Sequence, residues 1–412
     1  MRTCFLLLCL VAQSGWPQWG GPNRDFTSAS KGLAAAWPPG GPKKVWTRSL
    51  GEGHSAIAVD GARLYTMYRP LGALSMVRRS QEEVVAALDA ASGRTIWEYR
   101  YASTTSGLNF SEGAGPHATP AVGADRVFAV GSRKEIVALN KADGTLAWSH
   151  DMHKEYGAEH DDRGFACSPL LYGDTVIVGM GGPNQAVAAF NQRTGALVWK
   201  SGNFESSPAS PTVIDVDGQK QILYFAGDRI AGLHPATGQV LWTHPHKTDW
   251  GLNISTPIWS PSDHLLFMSS AYGTGSRVIE LRQAGGQTTV AEKWFNGRMR
   301  IHIGSAIRVG SLVVGSSGDF GPAFLTAVDV TSGKILWQDR TFARAQLVYA
   351  DGKLIVLDED GTLGLATVSP SGLQVLTKAS VLESRAWTPP SLAGTRLYVR
   401  DRRNAIAFEL GP

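Results

Sequence analysis

The sequence predicts an all-β protein: an eight-bladed β-propeller of four-stranded antiparallel blades, closed by an N-terminal strand that completes the last blade. Three observations carry that prediction. Five short segments, each ending on Trp, repeat with little variation along the chain. Those tryptophans and two more recur at intervals of 43 to 52 residues, a period that signals repeated supersecondary units. The chain also begins and finishes on incomplete units, and the two fragments together make one.

The repeated segments are LDAASGRTIW ending at Trp97, LNKADGTLAW at Trp148, FNQRTGALVW at Trp199, LHPATGQVLW at Trp242 and VDVTSGKILW at Trp337. Each runs from an apolar residue through a turn-former to a Gly (Gly93, Gly144, Gly195, Gly238, Gly333) and then to the Trp. That pattern is a β-hairpin, with Gly supplying the positive φ of the turn and a large aromatic closing the second strand.

Taken in chain order, the first element is a leader. Met1 and Arg2 precede an apolar run from Cys4 to Ala12, followed by Gln13 and Ser14; this reads as a secretory signal peptide over 1–14, cleaved after Ser14. The competing reading, a lipoprotein signal ending at Cys9, lacks small residues before the cysteine. Cleavage leaves Cys167 as the one cysteine, so the fold is held by its core and not by a disulfide. Residues 15–42 form an N-terminal extension carrying Trp16, Trp19 and Trp37, and 43–412 form the propeller.

Within the propeller, Lys43–Trp46 is an isolated fourth strand. Val84–Leu88 has helical propensity, but the repeat register makes it a third strand. The stretches HATPAVGADRVFAVG from His117 and CSPLLYGDTVIVGMG from Cys167 each supply two strands with period-2 alternation. Trp294 closes a variant hairpin turning at Gly285-Gly286. A degenerate unit follows, with Leu357–Ala366 and Leu373–Leu376 as its last strands, and Trp387–Leu410 supplies three strands. Fourth strands at Trp46, Trp97, Trp148, Trp199, Trp242, Trp294, Trp337 and near Leu376 count eight blades. The seven tryptophans are expected to dock each blade on the next.

Composition agrees. The 412 residues include 47 Gly, 21 Pro and 13 Trp, with 43% hydrophobic and only 18% charged. Such a chain is neither disordered nor rich in long helices. Its net charge of +4 is spread without a basic block, so no nucleic-acid surface is expected. No stretch beyond the leader is long and apolar enough for a transmembrane segment. The paired glycines of kelch repeats and the Gly-His and Trp-Asp pairs of WD40 blades are missing as series.

The fourth-strand signature, apolar-turn-x-x-Thr/Ser/Asp-Gly-x-x-x-Trp, resembles the pyrroloquinoline-quinone-like (PQQ-like) propeller repeat over roughly 43–410. The opening from Trp16 to Asp25, with Trp37 to Trp46, is similar to the lead of exported bacterial PQQ-binding-like proteins. The resemblance implies one of two functional classes. One is a scaffold without cofactor, like the propeller lipoprotein of the outer-membrane β-barrel assembly machine. The other is a quinoprotein dehydrogenase, which would need PQQ, a Ca²⁺ held by oxygen ligands, an Asp base and, in many members, adjacent cysteines. This chain has no adjacent cysteines once the leader is removed. The reading adopted is an exported, monomeric scaffold, periplasmic or extracellular, that presents inter-blade loops to a protein partner in the cell envelope. The alternative is a PQQ-dependent oxidoreductase with its site at the channel mouth, and a third is a carbohydrate-binding module using Tyr68, Tyr101 and Trp250.

Superposing the repeats places one residue or pair at the start of each inner strand, beside the central channel. These are His54, His117, Ala166–Cys167, Ser206–Ser207, Asn253–Ile254, His302, Arg344–Gln346 and Arg385–Trp387. His54, His117, Asn253, His302, Arg344 and Arg385 are thus the candidates for a channel-mouth site, which the histidines and arginines would make anion-attracting or metal-capable. Read as ordinary turn residues, they would only hydrogen-bond neighbouring blades. His244-Pro-His246 reads as an exposed pair in an inter-blade connection, and Gly179–Gly182 as a hairpin turn rather than a dinucleotide loop. No catalytic set or metal site is expected.

Overall fold

The computed structural model describes residues 15–71, 79–111, 113, 115–159 and 161–412; the signal-peptide expectation, with Cys4 and Cys9, lies outside them. Eight separate sheets follow one another around a ring. Blades 1 to 7 run in simple order, and blade 1 comprises Ala58–Asp60, Arg63–Tyr68, Glu82–Asp89 and Thr95–Ala102. Blade 8 takes three strands from the C-terminus (Ser391–Ala393, Arg396–Arg400, Asn404–Glu409) and its fourth, Lys43–Ser49, from the N-terminal side. Trp46 stands opposite Ala407 in that antiparallel pair. The ring therefore closes by hydrogen bonds and leaves no open sheet edge at the join.

Elements follow the repeat register closely. Val84–Leu88 lies inside the third strand of blade 1, so tertiary pairing overrides its helical propensity. The expected strand Leu357–Ala366 is instead split: Lys353–Asp358 ends and Thr362–Ser369 begins around a turn. Asp358 makes that turn by accepting from the backbone N–H groups of Asp360 and Thr362 at 3.1 and 2.8 Å. A short helix that the repeat did not foretell, Met152–Tyr156, follows blade 2 and is capped by Asp151.

The apolar core lies mostly between blades, and one cluster also takes in Trp16 and Phe26 of the extension. One cluster joins Tyr65, Met67 and Val85 of blade 1 to Val127, Ala129 and Leu139 of blade 2. Over it sits Trp97, whose ring lies where a Cβ on Gly144 would fall, 2.5 Å away. The same fit recurs for Gly93 with Trp46, Gly195 with Trp148, Gly238 with Trp199 and Gly333 with Trp294. Each of these indoles also donates to a carbonyl in the next blade's hairpin: Trp46 to Ala90, Trp97 to Lys141, Trp148 to Gln192, Trp199 to Pro235 and Trp294 to Val330, all at 2.7–3.1 Å. Trp337 donates likewise to Ser369 at 2.9 Å. Trp242 differs, donating to Gln221 of its own blade: the long hairpin of blade 5 (Gly275–Ala284 and Gln287–Asn296) turns at Gly285-Gly286, and neither glycine lies against the Trp242 ring. It still packs against Leu266 and Ile279 of blade 5.

The extension runs through the centre. The first strands of neighbouring blades touch, so they line the axis. Trp16 makes a two-way bridge to Val59 of blade 1, and Pro17 accepts from Val122 of blade 2. Arg24 donates to the carbonyls of Pro169 and Ser168 at blade 3, and Trp19 to Thr256 at blade 5. Thr27–Ser28 then forms a parallel pair with Tyr349–Ala350 of blade 7. Trp16, Arg24 and Phe26 are buried, and burial lowers Arg24 to about 10, leaving it charged at neutral pH. Residues 16–28 are thus a plug that satisfies inner-strand backbone groups which a bare channel would leave to water.

Candidate functional site

Above the plug the channel opens into a cavity of about 620 Å³, a size that suits a ligand of drug-like or short-peptide dimensions. Trp19 lines its floor, held by its bond to Thr256 (3.0 Å) and by an edge contact with Phe26 at 5.4 Å. Two aromatic groups line the sides. His54 stacks on His117 at 5.4 Å and on Trp387 at 5.8 Å. At the lip, Trp250, Tyr272 and Phe320 lie 5.3–5.7 Å apart, with Trp250 56% and Phe320 71% exposed.

The remaining wall is acidic. Glu159, Asp161 and Asp162 come from the segment after the short helix, and Glu205 from the connection between blades 3 and 4. Arg163 is the one Lys or Arg among the lining residues, and its guanidinium lies 5.8 Å from the Trp250 ring. Behind the wall, Lys134 pairs with Asp161 at 3.1 Å, and Glu159 accepts from the Ser206 N–H at 2.8 Å.

Of the sequence candidates, His54, His117 and His302 line this cavity, as do Ala166, Ser206, Ile254 and Trp387 from the paired positions. Asn253, Arg344 and Arg385 are not among the lining residues. Asn253 is fully buried, donating to the carbonyls of Ala226 and His246 and accepting from Ser270, so it ties loops together. Arg344 faces inward, donating to the carbonyls of Asp319 and Gly321 at 2.8 and 2.9 Å and to Nδ1 of His302. Arg385 is exposed and lies 4.9 Å from the Trp387 ring.

The guanidinium can only donate, so Nδ1 of His302 must accept, and the neutral ring carries its proton on Nε2. Nε2 then donates to the Tyr272 hydroxyl at 2.5 Å. Burial, reinforced by Arg344, lowers His302 to about 4. Burial also lowers His117, whose Nε2 donates to the Arg163 carbonyl at 3.0 Å. The cavity thus meets its ligand with two uncharged histidines and a wall of carboxylates, which gives the mouth the opposite sign from the anion-attracting one expected.

Two further expectations change. His246 is not exposed: it follows the strand Val240–Pro245, packs edge-on to Phe225 at 5.0 Å, and neither ring nitrogen is hydrogen-bonded. Burial lowers it to about 3. Tyr68 is buried with its hydroxyl on Glu98 at 2.7 Å, and the Tyr101 hydroxyl donates to Glu83, so of the three aromatics weighed for carbohydrate only Trp250 reaches the cavity.

The residues present do not fit a calcium-bound quinone. Among the described residues no three His, Cys, Asp or Glu side chains converge to hold a metal ion. Cys167, the one cysteine among the described residues, is buried, and the carboxylate wall opposes a polycarboxylate ligand. What the site can do is bind: an aromatic surface for an apolar body, carboxylates for a positive charge.

The residues missed by repeat reasoning are Trp19, Glu159, Asp161, Asp162, Glu205 and Phe320. The acidic wall lies mostly in the surplus of the 51-residue unit from Trp148 to Trp199 over the 43-residue unit that follows. That insertion was the signal available.

Comparison with known proteins gives a consistent picture. A family model described as outer membrane protein assembly factor BamB matches residues 81–338. The chain is 24% identical over 372 residues to the outer membrane protein assembly factor BamB of Yersinia pestis, covering 84% of this chain and 82% of that one. It is 24% identical over 376 residues to the BamB of Escherichia coli strain K12, covering 78% and 88%. Among solved structures, BamB from Moraxella catarrhalis superposes with a TM-score of 0.60 at 17% identity, over 89% of this chain and 97% of that one. A europium-containing methanol dehydrogenase superposes at 0.54 with 13% identity, over 96% and 89%, a likeness of fold alone.

Proposed function

Because the chain belongs to the outer membrane protein assembly factor BamB family, we propose that it is an exported β-propeller acting as an assembly scaffold in the cell envelope. It works on the periplasmic side, associated with the outer membrane, and presents inter-blade loops to a protein partner. Among the described residues no helix is long and apolar enough to cross a membrane.

The observation that carries this reading is the plugged ring. Residues 16–28 pair with the inner strands of blades 1, 2 and 7, and the last blade is closed by Lys43–Ser49. What remains for recognition includes the loop faces and the axial cavity, on a frame rigid enough to hold them in fixed relative positions.

The test is loss of the protein from its native host, together with site-specific photocrosslinking from Phe320 and from an outer-strand position, Val198. The expected result is a lower level of folded barrel proteins in the outer membrane and a discrete crosslink to an envelope protein. Unchanged barrel levels without a crosslink, together with dye reduction by the purified protein given PQQ and Ca²⁺, would overturn the reading in favour of the oxidoreductase.

A further inference from the structure

We propose that the axial cavity is a binding site for a cation carried on an apolar body: an organic ammonium or guanidinium group attached to an aromatic or aliphatic stem. This goes beyond the scaffold role and does not depend on it.

Three features support the proposal. The cavity is built, with a floor (Trp19) fixed by a hydrogen bond and an aromatic edge contact. Its volume of about 620 Å³ exceeds what a single side chain fills. Its charge is one-sided: four carboxylates line it against the single guanidinium of Arg163. Lys134 balances Asp161 from behind. Asp162 and Glu205 are exposed and neither is within ion-pair distance of a described cation, although the Glu205 carboxylate acts on Arg229 from farther away. A cation entering between them has its counter-charge in place before it arrives.

The aromatic lip supplies the other half. Trp250, Tyr272 and Phe320 present ring faces that attract a cation and shelter an apolar stem. The side chain of Arg163 already uses one of these faces, with its guanidinium 5.8 Å from the Trp250 ring. The histidines do not reverse the sign. The Nδ1 of His302 is occupied by the guanidinium of Arg344, and His117 is held by the Arg163 carbonyl.

The same chemistry is available from a free organic cation or from a basic segment of a protein, and two probes separate these sources. The first is benzyltrimethylammonium. The second is the peptide acetyl-Phe-Arg-Arg-amide, with acetyl-Phe-Glu-Glu-amide, PQQ and a neutral maltotriose as comparisons. Trp19, Trp250 and Trp387 line the cavity, so intrinsic fluorescence of the exported protein reads occupancy directly, and calorimetry gives the stoichiometry.

Saturable one-to-one binding of at least one cationic probe is expected, with the acidic peptide, PQQ and maltotriose at least tenfold weaker. A peptide tenfold tighter than the ammonium assigns the site to a protein segment, and equal or reversed affinity assigns it to a free cation. Asp162→Asn with Glu205→Gln should weaken the cation at least tenfold with the melting temperature unchanged. Trp250→Ala should weaken it independently of charge. Equal or tighter binding of the acidic peptide, PQQ or maltotriose would overturn the proposal. So would failure of both cationic probes to saturate at millimolar concentration, or full affinity retained in the carboxylate double variant.

Discussion

Gly144 lies directly beneath the indole of Trp97, one blade earlier in the chain, so close that a methyl group on its Cα would stand 2.5 Å from the ring. The two most regular letters of the repeat, Gly and Trp, are therefore two sides of one inter-blade contact rather than independent features of one hairpin. The Gly serves its own turn with φ +75° and clears space for the preceding blade's aromatic. The contact predicts a measurable coupling. Gly144→Ala should cost roughly 2–4 kcal/mol from clash and backbone strain. In a Trp97→Ala background only the strain, about 1 kcal/mol, should remain. Equal costs in both backgrounds, measured by urea denaturation, would show that the ring and the turn do not communicate.

Trp148→Ala should destabilise the protein by about 3–5 kcal/mol, the range for emptying a large aromatic from a packed interface. Phe128 and Phe190, whose rings lie 6.0 and 6.4 Å from that indole, lose their shared neighbour. A melting temperature lowered by less than a degree or two would contradict the docking role.

The plug gives a site-resolved expectation. The amide of Val59 donates to the Trp16 carbonyl and that of Val122 to the Pro17 carbonyl. Removing residues 15–28 should abolish protection of these two amides in hydrogen exchange. The amide of Phe128, paired within blade 2 opposite Ala121, should stay protected. Trp16→Ala alone should cost about 3–5 kcal/mol. Retained protection at Val59 and Val122 after truncation would mean that the channel does not need its plug.

Stability should respond to pH with two opposing slopes. Burial raises Glu135 from 4.5 to about 7, and its Oε2 is buried without a hydrogen-bond partner beside the Arg69–Glu83 pair. The folded protein then holds a proton that the unfolded chain has lost, so stability falls as pH rises from about 4.5 to 7, by on the order of 3 kcal/mol at most. His246 (about 3) and His302 (about 4) resist protonation in the folded state. Their unfolded counterparts take up protons below about 6.5, so stability falls as pH drops from there toward 3. Glu135→Gln should flatten the first slope and raise stability at pH 8, and His246→Phe should flatten the second. Denaturation midpoints across pH 3–8 check both.

The ring was legible because its determinants are local and recur: a Gly turn, a Trp and alternation, repeated often enough for register to outvote the helical propensity of Val84–Leu88. Blade closure was legible from the two incomplete ends. The plug was not. Trp16, Trp19 and Arg24 occur once, outside the repeat, and nothing local to them reports that their partners are Val59, Thr256 and Ser168. The candidate site was half legible for the same reason. Superposed repeats find positions that every blade shares, hence His54, His117 and His302, and they pass over insertions, hence Glu159, Asp161 and Asp162. Asn253, Arg344 and Arg385 fall outside the cavity lining because repeat position gives the location of a backbone, not the direction of a side chain.

One consequence follows for how such a chain reaches its final form. Arg400 donates to the carbonyl of Ser55, 345 positions away, and Lys43–Ser49 finds its partner only in Asn404–Glu409. The N-terminal strand of this chain is therefore among the last segments to find its seat. It must wait for seven blades to form before the eighth can shut. Contacts of such long range make folding slow and leave partly built rings with bare edges. During that interval the unpaired strand Lys43–Ser49 exposes a bare edge that a foreign strand can capture.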